Sequence, residues 1–125
     1  MKTKLKTIFG FALLVAAIMI VLFISKSYYP QLPIEDVPKR EVIKLLDHNK
    51  PEITKITSYD RYSWYGYKGN QLDGGKALIK TMQDRGLIFV EQMGSGYFFE
   101  DSLKSKVIVE SQMWTGSYVL YQVPN

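Results

Sequence analysis

From Ile8 to Ile24 the chain carries 17 consecutive residues that are apolar apart from Gly10, and no charge falls between Lys6 and Lys26. At about 1.5 Å of rise per residue, a helix over this run reaches roughly 26 Å. With Thr7 and Ser25 at its edges, it matches a hydrocarbon core of about 30 Å. A helix packed in a water-soluble core keeps polar positions on its outer side, whereas this one is apolar all round. The run predicts a membrane span, so whatever follows it must fold as a tethered domain.

Orientation follows from the lysines. Lys2, Lys4 and Lys6 precede the run and only Lys26 immediately follows it, which keeps the start inside and exports everything from about Ser25 onward. Tyr28 and Tyr29 then fall where amphipathic rings favour the headgroup zone. A removed signal peptide has a shorter apolar stretch of about 7 to 15 residues and an Ala-x-Ala-like site. No Ala-x-Ala occurs, and Ser25-Lys26-Ser27 offers small residues around a lysine, so the segment is expected to stay as an uncleaved signal anchor. The organisation expected is a cytoplasmic tail and anchor over 1–27, a proline-rich strap over 28–37 and an extracytoplasmic domain over 38–125. Pro30 and Pro33 lie in the strap and Pro38 follows it directly, three prolines within nine residues. Extended at polyproline rise, the strap tethers the domain on roughly 25 Å of stiff chain.

Charge and cysteine content exclude several classes. Of 16 basic residues, Lys2, Lys4, Lys6 and Lys26 surround the anchor, so the rest balance the 12 acidic ones and the exported part is formally neutral. Nucleic-acid binding needs a basic stripe, and none is present. The absence of cysteine removes disulfides, thiolate metal sites and a lipid-modified cysteine from consideration.

The exported part reads as α+β: two helices packed on a mainly antiparallel sheet. After Pro38, which suits a helix start, Val42, Ile43, Leu45 and Leu46 share one helical face. Glu52–Tyr59 and Tyr62–Lys68 are β-rich and joined by Asp60-Arg61, which predicts a hairpin. A second helix, capped within Asn70–Asp73, runs through Arg85 and stops at Gly86. Leu87–Met93, Tyr97–Glu100, Lys106–Gln112 and Tyr118–Val123 follow as four strands. Their connections are too short for parallel crossovers and predict an antiparallel meander. Both helices are expected over one sheet face.

Catalytic chemistry has little to work with. His48, the single histidine, follows the last turn of the first helix, where a surface role is the ordinary one. Asn70-Gln71-Leu72-Asp73-Gly74-Gly75-Lys76-Ala77 lacks the first glycine and the Ser/Thr of a phosphate loop. Ser95, preceded by Gly94 and followed by Gly96, lacks the earlier glycine of a nucleophile elbow, since Met93 stands there. The pairs Glu35-Asp36 and Glu100-Asp101 lack the spacing of a calcium loop and any sign of a glycosidase pair. No enzyme, metal or cofactor is expected.

Aromatic density stands out instead: Tyr59, Tyr62, Trp64, Tyr65 and Tyr67 lie within nine residues. On an extended strand Tyr62 and Trp64 share one face and Tyr65 and Tyr67 the other. With one sheet face covered, one pair is expected in the core and the other in solvent, available to a sugar, peptide, lipid headgroup or protein. These four are the candidate partner-binding residues.

The lysine-rich start, single apolar helix and cysteine-free, tyrosine-rich exported domain resemble the uncharacterised small single-pass membrane-anchored proteins of Gram-positive bacteria. That resemblance of layout implies a cell-envelope location and carries over no functional residue. Gly10-Phe11-Ala12-Leu13-Leu14-Val15 also resembles the start of type IV pilin-like helices. Val15, however, occupies the position of their usual glutamate, and Pro30 and Pro33 interrupt the long helix expected next. The function expected is an envelope-facing binding or accessory module whose partners are the bilayer and an envelope protein or wall component. The alternatives are a small subunit of a membrane complex that acts through its membrane helix, where Gly10, Ala12, Ala16 and Ala17 allow close helix approach, and a pilin-like protein.

Overall fold

The computed structural model describes residues 2–25 and 30–125. Lys26, Ser27, Tyr28 and Tyr29, which carry the flanking lysine, the processing position and the interfacial rings expected above, lie outside the described residues. The chain divides into two compact units, Met1–Gln31 and Leu32–Asn125.

The first unit is built on α1 (Lys2–Ser25), a helix of 24 residues. Its apolar side chains are exposed along its length, and it is long and apolar enough to cross a membrane. The second unit contains α2 (Lys39–Asn49), β1 (Thr54–Ser58), β2 (Tyr62–Lys68), α3 (Gln71–Asp84), β3 (Ile88–Met93), β4 (Gly96–Glu100), β5 (Lys106–Trp114) and β6 (Tyr118–Pro124). All six strands join one sheet in the order β1-β2-β6-β5-β4-β3, with every pairing antiparallel. The expected hairpin and meander are both present, and β6 returns to pair with β2.

Local chemistry sets the helix limits. Pro38 accepts through its carbonyl from the amides of Glu41 and Val42 and opens α2. Asn70 caps α3, its side-chain oxygen accepting from the amide of Asp73 at 2.8 Å while its amide nitrogen donates to the Asp73 carboxylate. At the other end Leu87 N–H donates to Met82 and Gly86 N–H to Gln83, the paired closure of a Schellman motif.

The helices lie on opposite faces of the sheet, not on one as expected. Tyr65 and Tyr67 of β2 join Tyr97, Phe99, Val109 and Tyr121 in the core beneath Leu78 and Met82 of α3. Alternation turns Trp64 and Gly66 the other way, and there α2 closes in. A methyl group on Gly66 would stand 2.7 Å from both terminal carbons of Leu46, so α2 rests directly on the β2 backbone. Asp47 ties the contact, accepting from Lys68 Nζ at 2.9 Å and from the Tyr118 hydroxyl at 2.7 Å. Leu32 and Ile34 are buried as well, so the folded unit begins within the proline-rich segment, earlier than the Pro38 start expected from sequence. Toward β3 the α2 face stays open: Ile88 and Ile108 are exposed.

On the α3 face, Gly74 and Gly75 meet tyrosine hydroxyls. A methyl group on Gly74 would lie 2.6 Å from Tyr121 Oη, and one on Gly75 2.5 Å from Tyr97 Oη. The glycines that look like part of a phosphate loop are thus a packing requirement. Tyr121 is fully buried, and among the described residues its hydroxyl has no hydrogen-bond partner. Overpacking typically costs about 1–3 kcal/mol, while Gly-to-Ala in a helix returns about 1 kcal/mol. Gly74→Ala is expected to destabilise by about 1 kcal/mol, and Tyr121→Phe in that background to recover much of the loss, as read by denaturant melts.

A pH effect follows from the same tyrosine. Burial, then Tyr97 and Tyr67, push the Tyr121 hydroxyl well above its usual value. The unfolded chain releases this proton near pH 10 while the folded chain keeps it. Stability contributed by the neutral hydroxyl is therefore intact below about pH 10 and falls as pH rises beyond it, by about 1.4 kcal/mol per pH unit. Melts between pH 9 and pH 11 are expected to show a shallower decline in Tyr121→Phe than in the unaltered chain.

Candidate functional site

At the N-terminal end of β2, three parts of the folded unit converge. The β1–β2 connection closes with the Tyr59 amide donating to the Tyr62 carbonyl at 2.8 Å. Asn125 braces this connection from below: its amide N–H donates to the Arg61 carbonyl, and its side chain accepts from the Ser63 hydroxyl and donates to the Tyr59 carbonyl. Ser63 in turn shares a 2.9 Å hydrogen bond with Ser58. The segment around Pro33 forms the third part, held where the Tyr59 hydroxyl donates to the Glu35 carbonyl at 2.7 Å.

Between these parts lies an open cleft of about 580 Å³ lined by Pro33, Glu35, Ser58, Tyr59, Asp60, Arg61, Tyr62 and Trp64. That volume is within the range of about 300–1,000 Å³ usual for ligand sites. The aromatic walls turn about one another: Tyr59 and Tyr62 are 5.4 Å apart at 53°, and Tyr62 meets Trp64 at 6.2 Å and 84°. Glu35, Asp60 and Arg61 are exposed at its edge, and none of the three is ion-paired among the described residues. Desolvation and then Asp36, Tyr62 and Glu35 hold the Tyr59 hydroxyl above its usual value, so it is a neutral donor near pH 7. A second hollow of about 210 Å³ shares Arg61 and Tyr62 with the first and runs along the open sheet face past Ile108, Glu110 and Gln122.

The four aromatic residues singled out from sequence separate here. Tyr62 is half-buried in the cleft wall, and Trp64 reaches the cleft but is only 7% exposed. Tyr65 and Tyr67 are buried on the α3 side, away from the cleft, with Tyr65 accepting from Arg85 Nη2 at 2.9 Å. The expectation that one pair lies in the core and the other in solvent is corrected, because a helix covers each face of β2. Asp60 and Arg61 stood in the sequence as a turn between Tyr59 and Tyr62. Glu35 left no such signal, because it arrives from a distant segment.

Other residues weighed for chemistry are placed outside the cleft. His48 is exposed in the last turn of α2. Ser95 Oγ donates to Glu110. Asp101 accepts from the amides of Leu103 and Ser105 and shapes its own turn. No group of three His, Asp or Glu side chains suited to a metal ion occurs among the described residues. No family profile matches the chain, and neither a curated protein nor a solved structure is significantly similar to it.

The different settings of Tyr62 and Trp64 lead to a graded expectation. Trp64→Ala removes a core ring, at about 3–5 kcal/mol, whereas Tyr62→Ala removes a half-exposed one and is expected to cost under about 1.5 kcal/mol. Chemical denaturation of the two variants measures the difference.

Proposed function

We propose that this chain is a single-pass, membrane-anchored binding module with its N-terminus inside, its folded unit outside, and the Tyr59–Tyr62–Trp64 cleft as its ligand site. The observation that carries this reading is the cleft itself: aromatic rings and three charges with no ion-pair partner among the described residues, assembled from distant segments and braced by Asn125. Unpaired charged side chains next to a partly desolvated ring wall are the groups through which small sites orient a ligand. Its lining supplies aromatic faces, carboxylates and a guanidinium, which favours holding a ligand over transforming it.

The membrane part of the reading rests on α1 and the lysine asymmetry. Seven residues separate Ser25 from Pro33. Even fully extended, a connection of that length spans at most about 30 Å. The partners proposed are the bilayer and a component of the cell envelope.

Two measurements test this. Protease added to intact cells or spheroplasts is expected to digest 31–125, and protection of that region would rule out the orientation. A photoreactive benzoylphenylalanine placed at Tyr62 is expected to yield an adduct of discrete mass that the same group at exposed Gln83 does not. Identical adduct patterns from both positions would remove the cleft as the site.

A further inference from the structure

The cleft's charges are contradictory for any ligand of one sign. Glu35 and Asp60 would repel an anion, and Arg61, next to Asp60 in the chain, would repel a simple cation. None of them neutralises another through an ion pair among the described residues. Arg61 also borders the second hollow, so the positive group sits where the two hollows meet, while Glu35 and Tyr59 belong to the first alone.

The rings add a preference for positive charge. Aromatic faces attract cations, and ammonium groups are recognised by rings set at angles to one another. Tyr59, Tyr62 and Trp64 meet in this way, at 53° and 84°. Carboxylate neighbours strengthen that attraction, and the negative environment extends to Tyr59, which responds to both Asp36 and Glu35. A guanidinium, by contrast, offers a planar fork of donors that matches a phosphate.

Resting on the binding-module reading above, we propose that the cleft recognises a phosphate-linked amine. The ammonium is held against Tyr59 and Tyr62 with the carboxylates of Glu35 and Asp60, and the phosphate is held by Arg61. Such zwitterions exist as phospholipid headgroups and as soluble or polymer-borne phosphoamines. The recognition chemistry is the same for both, and the experiment below separates them.

The test uses the full chain in a non-ionic polyoxyethylene micelle, followed by the indole N–H resonance of Trp64 in a nitrogen-15 spectrum. Trp114, which does not line the cleft, serves as an internal reference. Phosphoethanolamine is expected to move the Trp64 resonance saturably, with a Kd at least ten-fold lower than that of ethanolamine or inorganic phosphate alone. Arg61→Gln is expected to raise that Kd to the value for ethanolamine. Glu35→Gln with Asp60→Asn is expected to raise it to the value for phosphate. All three side chains are exposed, and an unmoved Trp114 resonance reports that each variant is folded.

To find the source, the chain is placed in nanodiscs of phosphatidylethanolamine or of phosphatidylglycerol. A Trp64 resonance already shifted in the first and not the second supports the lipid source. An unshifted resonance in both, followed by a shift on adding phosphoethanolamine, supports the soluble or polymer-borne one. Phosphoethanolamine binding no tighter than its halves overturns the proposal. So does tighter binding of a lysine-rich peptide or an oligosaccharide at the same resonance, but that result leaves the cleft as a binding site. Silence of Trp64 to every probe, together with no position-specific adduct at Tyr62, overturns the binding-module reading as well.

Discussion

Leu46 of α2 presses on the bare backbone of Gly66, while Tyr65 and Tyr67, on either side of that glycine, turn into the core beneath α3. Most of the folded unit depends on this double covering of one strand. β2 pairs with β1 on one side and with β6 on the other, so its middle is enclosed in four directions. Burial of large aromatic side chains supplies the main favourable term, at roughly 25 cal/mol per Å² of apolar surface removed from water. The absence of a side chain at Gly66 lets the second helix share that gain. The cost falls on freedom to vary: neither Gly66 of β2 beneath α2 nor Gly74 and Gly75 of α3 above the sheet has room for an added methyl.

That enclosure also decides where function can reside. The middle of β2 is sealed, and of its first three residues only Tyr62 is half-buried while Ser63 and Trp64 are buried. There the chain must turn back toward β1, and the turn exposes Tyr59, Asp60, Arg61 and Tyr62 to a space that the Pro33–Glu35 segment closes from the other side. The site is therefore a product of packing in the strict sense. Two of its rings, Tyr62 and Trp64, belong to the same strand face that α2 covers further along. The Pro33–Glu35 segment, which opens the folded unit, supplies one wall of the cleft.

Much of the architecture was legible from sequence because its signals are local. An uninterrupted apolar run, period-two aromatic strands, an asparagine three residues before an aspartate, and a glycine after the last helical turn each act within a few residues, and each appears where its chemistry places it. What could not be read is what depends on distant segments meeting. The helices were expected on one face because nothing local distinguishes Leu46 packing on Gly66 from Leu46 packing beside Leu78. For the same reason the strand alternation correctly separated Tyr62 and Trp64 from Tyr65 and Tyr67 but suggested a solvent-facing pair, since the second cover was invisible. Glu35 and Asn125 reach the cleft across long stretches of chain, and nothing in their own neighbourhoods announces it.

Native-state hydrogen exchange on the full chain tests the double covering most directly. If β2 is enclosed by α2 and α3 together, the amides of Tyr65 to Tyr67 exchange only through global unfolding, with the same free energy as those of Val119 to Tyr121 on β6. The amides of β3, an edge strand with an open outer face, exchange earlier through local opening. Exchange of the β2 centre at the rate of β3 would contradict the account, because it would mean that one of the two helices does not hold its face closed.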